Sequence, residues 1–316
     1  MAVLDLIGNT PMVRLARLTD GVGAEVLVKL EYLNPSGSIK DRIALRMIDD
    51  AERSGRLRPG MRVVEASTGN TATALALVGA VKGYPVTLYV PGSAASEERL
   101  RICRSYGAEV VSVDVDGAAH AAGSKGVHGG IAELVPRQIC RDEEARGNTW
   151  WARQFSNPSN VAAHRETTGR EILEQTGGRV DAFVAAVGTA GTLVGVAQAV
   201  RAANPSVRIV AVEPENSRSI KDGKLRVPVI EGISGGILRE MFEQRVADQV
   251  VVADEAEAIT TAYRLAREEG LFCGLSSGAN VLAALRVARE LGPGQRVVTV
   301  LVDSRDRYLF EQRLTT

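Results

Sequence analysis

Short β-branched apolar runs alternate along this chain with longer segments whose apolar residues recur at helical spacing. Arg62–Glu65, Val86–Val90 and Glu109–Val113 predict strands, with helices over 70–82 and 95–106 between them. A second set follows at Ala182–Val187, Val207–Val212 and Val297–Leu301, with helices near 161–175, 191–203, 254–269 and 279–291. Strand–helix alternation of this kind builds mostly parallel sheets covered by helices. Residues from about 117 to 148 carry Gly pairs and mixed charge without a sustained period, so they read as irregular, with the domain crossing at their end. Ligands of open α/β sheets bind beyond the carboxyl ends of the strands. The chemistry is therefore expected in the loops after Glu65, after Val187 and before the helix at 279.

Composition narrows the function classes. With 316 residues, 45% apolar, 24% charged and a formal net charge of zero, the composition argues against nucleic acid or an anionic membrane as the main partner, since both demand a basic surface. No apolar stretch reaches a membrane span, and Met1-Ala2-Val3-Leu4-Asp5 lacks the regions of an export signal, so a cytoplasmic location is expected. Cys103, Cys140 and Cys273 are odd in number and far apart, which predicts buried free thiols. His120, His128 and His164 show no metal-ligand spacing, and no metal is expected.

Lysine is scarce, six against 32 Arg. One of the six, Lys40, stands in a Gly/Ser/Pro turn that opens a helix, Asn34-Pro35-Ser36-Gly37-Ser38-Ile39-Lys40-Asp41-Arg42. Arg pairs with anions but cannot condense with an aldehyde, whereas a desolvated lysine amine can. A solvated helix-start lysine is the competing reading. Gly188-Thr189-Ala190-Gly191-Thr192 follows an apolar strand and opens a helix, where small residues and backbone N–H groups suit a phosphate. It matches neither a P-loop nor a dinucleotide fingerprint. Ser67-Thr68-Gly69-Asn70-Thr71 offers three hydroxyls, an amide and backbone donors at a helix start, enough for a carboxylate; simple N-capping needs only one such residue. Leu275-Ser276-Ser277-Gly278-Ala279 and Gln154-Phe155-Ser156-Asn157-Pro158 are further polar turns beside helices. A lysine, a phosphate cup and a carboxylate loop together describe pyridoxal 5′-phosphate with an amino-acid substrate.

The motifs NPSGSIKDRIA, EASTGNTATALA, QFSNPSNVAAH with TTGREI, VGTAGTLVG and GLSSGAN occur in the order and approximate spacing of the cysteine synthase family. The chain resembles that family, which includes O-acetylserine and O-phosphoserine sulfhydrylases and cystathionine β-synthases, from Ile7-Gly8-Asn9-Thr10-Pro11 to Arg307-Tyr308-Leu309. The resemblance implies the α/β tryptophan-synthase-β-like fold (fold type II), two doubly wound domains with pyridoxal phosphate in the cleft between them. Residues 40–150 would form the smaller, mobile, substrate-clamping domain, and 1–39 with 151–316 the larger, phosphate-binding one. It implies that Lys40 holds the cofactor as a Schiff base and later removes the substrate α-proton. Asn70 would bond the ring hydroxyl, Gly188, Thr189, Ala190, Gly191 and Thr192 the phosphate, and Ser276 the pyridine nitrogen. Ser67, Thr68, Thr71 and Gln154 would clamp the substrate carboxylate. The implied reaction is β-replacement on an activated L-serine through α-aminoacrylate, with sulfide giving L-cysteine. A homodimer and a serine acetyltransferase partner are implied as well.

Departures from the family pattern lie on the substrate side. The asparagine loop, usually Pro-Thr-Ser-Gly-Asn-Thr-Gly, reads Ala66-Ser67-Thr68-Gly69-Asn70-Thr71-Ala72, and a loop usually Gly-Ile-Gly-Ala-Gly-Phe reads Gly232-Ile233-Ser234-Gly235-Gly236-Ile237. Ala190 stands where Gly is usual, and residues 126–150 run slightly long. Arg218, Lys221, Lys224 and Arg226 cluster where phosphoserine-using relatives place an arginine. Cystathionine β-synthase, although the chain ends near 316 without the extension many of those enzymes carry, a diaminopropionate or other β-substituted alanine synthase, a serine/threonine dehydratase-type lyase and a non-catalytic partner-binding module remain as alternatives.

Overall fold

The computed structural model describes residues 2–92, 97–114, 134–215 and 237–308. Ten strands among them form two sheets. The chain opens with β1 (Met12–Arg14) and β2 (Glu25–Leu30). Then β3 (Arg62–Ala66), β4 (Val86–Pro91), β5 (Glu109–Val113) and β6 (Thr149–Trp151) make an all-parallel sheet in the order β5-β4-β3-β6. Finally β7 (Ala182–Ala186), β8 (Arg208–Pro214), β9 (Gln249–Ala253) and β10 (Arg296–Leu301) join the first two strands in the order β1-β2-β10-β7-β8-β9, where only β1 runs antiparallel.

Helices cover both faces of each sheet. In chain order they are α1 (Lys40–Arg53), α2 (Asn70–Lys82), α3 (Glu97–Ser105), α4 (Leu134–Ala145), α5 (Pro158–Ala163), a π-helical turn (His164–Gly169), α6 (Arg170–Thr176), α7 (Gly191–Ala203), α8 (Ile237–Glu243), α9 (Glu255–Glu269) and α10 (Leu275–Leu291). Val26, Val28, Val184 and Val210 pack with α9 and α10 on one face of the large sheet, while Phe183, Ile209 and Val298 pack with α6, α7 and α8 on the other. The small sheet is covered by α1, α2 and α3 on one face and by α4 through Cys140 and Ile139 on the other. Burial on both faces explains why these strands read as continuous apolar runs. All three cysteines are buried and free. No helix among the described residues is long and apolar enough to cross a membrane.

Three differences from the sequence expectations have local causes. The single helix expected near 161–175 is α5, a π-helical turn and α6. It starts earlier because Asn157 caps it, its side chain accepting from the Ser159 amide at 3.0 Å, with Pro158 in the first turn. Residues 134–145, expected to be irregular, are helical and place Val135, Ile139 and Cys140 against Val64 and Tyr89. The last long helix begins at Leu275 after an extended Gly274, so Ser276 and Ser277 lie inside its first turn. In addition, no strand was expected at β2, where Lys29 is fully buried at a position whose pattern wants an apolar residue.

Candidate active site

The lysine motif folds as a tight turn leading into α1. Gly37 sits at φ +82 with its amide on the Asn34 carbonyl (2.7 Å), a conformation that favours glycine, and a Cβ there would crowd the Arg307 guanidinium at 3.2 Å. Asp41 accepts from the Ser36 amide at 2.6 Å and from the Ser36 hydroxyl, and burial pushes its carboxyl up to about 6 against those bonds. Ser38 bridges to Asp303 and Ile39 donates to the Val302 carbonyl (2.9 Å), which ties the turn to the end of β10. Lys40 is thus held at the first position of α1, half-buried, and desolvation lowers its amine below the ordinary lysine value although the Asp303 carboxyl opposes the shift.

Behind Lys40, α1 is anchored by a buried ion cluster. Arg42 donates to Glu31 (2.7 and 2.8 Å) and to Glu171 (2.6 and 2.8 Å), Lys29 Nζ lies 2.8 Å from Glu171, and Thr10 joins Arg42 and Glu31. The cluster connects the N-terminal segment, the end of β2, α1 and α6.

Asn70 opens α2 on the small sheet. Its Nδ2 donates to Asp303 Oδ2 at 2.6 Å and its Oδ1 accepts from Arg307 Nη1 at 2.9 Å, both residues coming from the segment after β10 of the large sheet. Tyr308 also donates to Asp303. The cap of α2 is Gly69, without a side-chain cap bond, so Ser67 and Thr68 are not spent on the helix end; Ser67 only receives the Gly69 amide at 3.4 Å. Thr71 donates to Gln154 Oε1 at 2.6 Å. The Gln154 amide is held by Glu65 (3.0 Å) and its carbonyl by Asn160 (2.7 Å), and Asn160 also donates to Thr189 Oγ1 (3.1 Å). The Ser67–Thr71 loop, the QFSNP turn and the Gly188–Thr192 loop therefore form one connected frame.

In that last loop Gly191 packs so tightly on Asn160 that a Cβ would fall 1.9 Å from its Oδ1. Thr192 meets His164 Nε2 at 3.2 Å, and His164 Nδ1 meets Thr168 at 3.0 Å; burial, then the Lys40 and Arg42 charges, lower this histidine well below its ordinary value, so the ring is neutral. Ala190 has φ +69, the left-handed conformation that disfavours a Cβ, which explains why glycine is usual there. Ala190→Gly relieves that strain and is expected to raise the unfolding free energy by up to about 1 kcal/mol, net of the greater freedom of glycine in the unfolded chain. Urea unfolding with an unchanged slope checks it.

Ser276 lines a cavity of about 640 Å³ beyond the carboxyl ends of β7, β8 and β9, together with Ala279 and Tyr308. Ser277, its neighbour, instead accepts from the Val302 amide (2.9 Å), and Asn280 ties α10 to β7 and β10. Asn70 and Tyr308 both bond Asp303, whose charge acts on the Lys40 amine; the Lys40 charge acts in turn on His164, and His164 holds Thr192. Ser67, Thr68 and Gly188 stand at the ends of β3 and β7. Asp303, Arg307, His164 and Asn160 were not foreseen as site residues; a carboxylate directly after the apolar run ending at Val302 was the available signal for the first of them. Arg218, Lys221, Lys224, Arg226 and the 232–236 loop lie outside the described residues.

Comparison with known proteins agrees with this frame. A family profile described as "Pyridoxal-phosphate dependent enzyme" matches residues 3–303. A cysteine synthase of Staphylococcus aureus is 39% identical over 308 residues, 97% of this chain and 94% of that protein. The crystal structure of a cysteine synthase from Entamoeba histolytica superposes with a TM-score of 0.85 at 35% identity, over 99% of this chain and 90% of that one. The structure of an O-ureido-L-serine synthase gives a TM-score of 0.83 at 39% identity, over 98% and 94%. With a profile that spans nearly the whole length and relatives this similar, the chain belongs to the pyridoxal-phosphate dependent enzyme family.

Proposed function

We propose that this chain catalyses β-replacement on O-acetyl-L-serine, with sulfide entering and L-cysteine leaving. The observation that carries the reading is the single frame joining Lys40, Asn70, the Gly188–Thr192 loop and the Thr71–Gln154 pair, in a chain similar to cysteine synthases. The residues fit pyridoxal 5′-phosphate: a desolvated amine for the aldehyde, an amide for the ring hydroxyl, a helix N-terminus lined by Thr189 and Thr192 for the phosphate, and Ser276 for the pyridine nitrogen. Bound there, the cofactor supplies an electron sink for the substrate α-carbon.

The protein side chains do the rest. Burial favours the neutral form of Lys40, so its Nζ is available to condense with the cofactor and, once free again, to take the substrate α-proton. Gln154 Oε1 is occupied by the Thr71 hydroxyl, which directs Nε2 toward an anion, and the unspent Ser67 and Thr68 hydroxyls are further donors for the substrate carboxylate. Because Asn70 and Thr71 belong to the small sheet and Asp303, Thr189 and Ser276 to the large one, a substrate held by both draws them together and excludes water. The reading takes 40–150 as the closing unit and 1–39 with 151–316 as the other.

A second reading, synthesis of another β-substituted alanine, rests on the altered Ala66–Thr68 stretch and on the similarity to an O-ureido-L-serine synthase. The cytoplasmic assignment is supported by three buried free thiols; the homodimer and a serine acetyltransferase partner rest on the family resemblance alone. Adding O-acetylserine to the yellow, cofactor-loaded protein is expected to replace its visible absorption band, and sulfide to restore it with release of cysteine. A response to O-phosphoserine alone would overturn the acetyl donor, and restoration only by an amine or hydroxyurea would favour the second reading.

A further inference from the structure

Two residues outside the resemblance-based site meet Asn70 from the opposite sheet. Asp303 is 1% exposed, and its Oδ2 receives Asn70 Nδ2 (2.6 Å) and the Tyr308 hydroxyl. Arg307, 6% exposed, donates Nη1 to Asn70 Oδ1 at 2.9 Å. We propose that Asp303 and Arg307 are positioning residues that fix the orientation of the Asn70 amide toward the cofactor ring hydroxyl; the inference rests on the pyridoxal phosphate reading above.

The chemistry of the two partners dictates the orientation. A guanidinium donates only, so the Asn70 atom facing Arg307 is the carbonyl oxygen. Asp303 Oδ2 already takes two donors, while Oδ1 is buried without a partner. A proton on this carboxyl therefore belongs on Oδ1, and Oδ2 accepts in either ionisation state. The amide cannot rotate by half a turn without setting its NH2 against Arg307 and its oxygen against Asp303. One Nδ2 hydrogen is committed to Asp303, and the NH2 group also meets the Tyr308 hydroxyl, itself bonded to Asp303, so a ligand in the cleft competes only with Tyr308 for the second hydrogen. Arg307 also withdraws charge from the amide oxygen, which strengthens the remaining N–H as a donor. Gly274 and Gly37 pack against Asp303 and Arg307 with no room for a Cβ beside the former (2.3 Å from Oδ1) and little beside the latter (3.2 Å), so both partners are held in place by backbone.

The test is a double-mutant cycle on cofactor release from the holoenzyme. Asp303→Asn, whose own amide accepts either orientation of Asn70, and Arg307→Met are each combined with Asn70→Ala. Release is followed by apo-protein capture of the freed cofactor, and the pH profile of the visible band is recorded alongside. Each single variant is expected to release cofactor about tenfold faster, the scale of one hydrogen bond, and to shift the band's pH profile. In the Asn70→Ala background Arg307→Met is expected to add nothing, because it acts through that amide, and Asp303→Asn only the smaller part that passes through the Lys40 amine, which its carboxyl otherwise holds up. Additive effects in the cycle would overturn the inference, as would unchanged release in both single variants. If Asp303→Asn fails to fold, the Arg307→Met arm decides alone, and Arg307→Lys, which keeps a donor, is expected to recover part of the effect. A wild-type protein that binds no pyridoxal phosphate would instead overturn the functional reading itself.

Discussion

Lys40→Ala is expected to abolish turnover while leaving the fold intact and the empty protein no less stable than the parent. Loss of a general base alone costs about 10²–10⁴-fold, and loss of the amine that holds the cofactor adds to it. Borohydride treatment of the loaded parent is expected to fix the cofactor's mass on the peptide containing Lys40, and to fix none there in the variant. Stability should move the other way. Lys40 has no ion-pair partner among the described residues, and burial lowers its amine. The unfolded chain therefore binds the proton more tightly than the native one. The penalty is fully present below the folded value and vanishes as pH rises to the unfolded value of 10.5. Melting of the two cofactor-free proteins across this range checks the sign: an advantage of the alanine variant at neutral pH that shrinks toward pH 10.5. A catalytically competent Lys40→Ala protein would remove the basis for the functional reading.

The loops proposed to hold the cofactor were legible in sequence as loops because they lie between an apolar strand and a helix, where polar residues stand out against their flanks. The Ser67–Thr71 and Gly188–Thr192 loops both lie where the pattern locates them, and in the first loop no side chain caps the helix, which disfavours the bland reading. What escaped were long-range partners. Asp303 meets Asn70 across 233 positions of chain, and Glu171 meets Arg42 across 129. No local period reports such a pairing. Short strands escaped for a related reason: β1 and β6 have three residues each, too few for an alternation, and β2 hides Lys29 behind an ion pair. The π-helical turn carrying His164 was read as helix because the extra residue leaves the apolar spacing on either side almost unchanged.

Arg42→Met is expected to cost about 3–5 kcal/mol of unfolding free energy, the range for breaking a buried ion pair by removing one partner. Arg42 is the cation shared by Glu31 and Glu171, all three are buried, and methionine fills the volume without supplying charge or donors. Lys29 remains beside Glu171 but cannot reach the bonds that Arg42 makes to Glu31. The pH dependence gives a sharper test than the magnitude. In the parent, burial alone would push the Glu171 carboxyl up, but the Arg42 guanidinium and then the Lys29 ammonium outweigh it and hold it at about 2. Its contribution is full above the unfolded value of 4.5 and is lost as pH falls toward 2. Without Arg42 the buried Glu171 carboxyl is stabilised by taking up a proton, so the deficit of the variant should narrow as pH is lowered from 7 to 5, where the parent loses almost nothing from Glu171. Urea unfolding at the two pH values measures both slopes. A constant deficit would mean that lost packing, not the uncompensated charge, dominates. Because α1 carries Lys40 two residues before Arg42, the same variant is expected to release cofactor faster at neutral pH and to recover toward pH 5 in parallel with its stability.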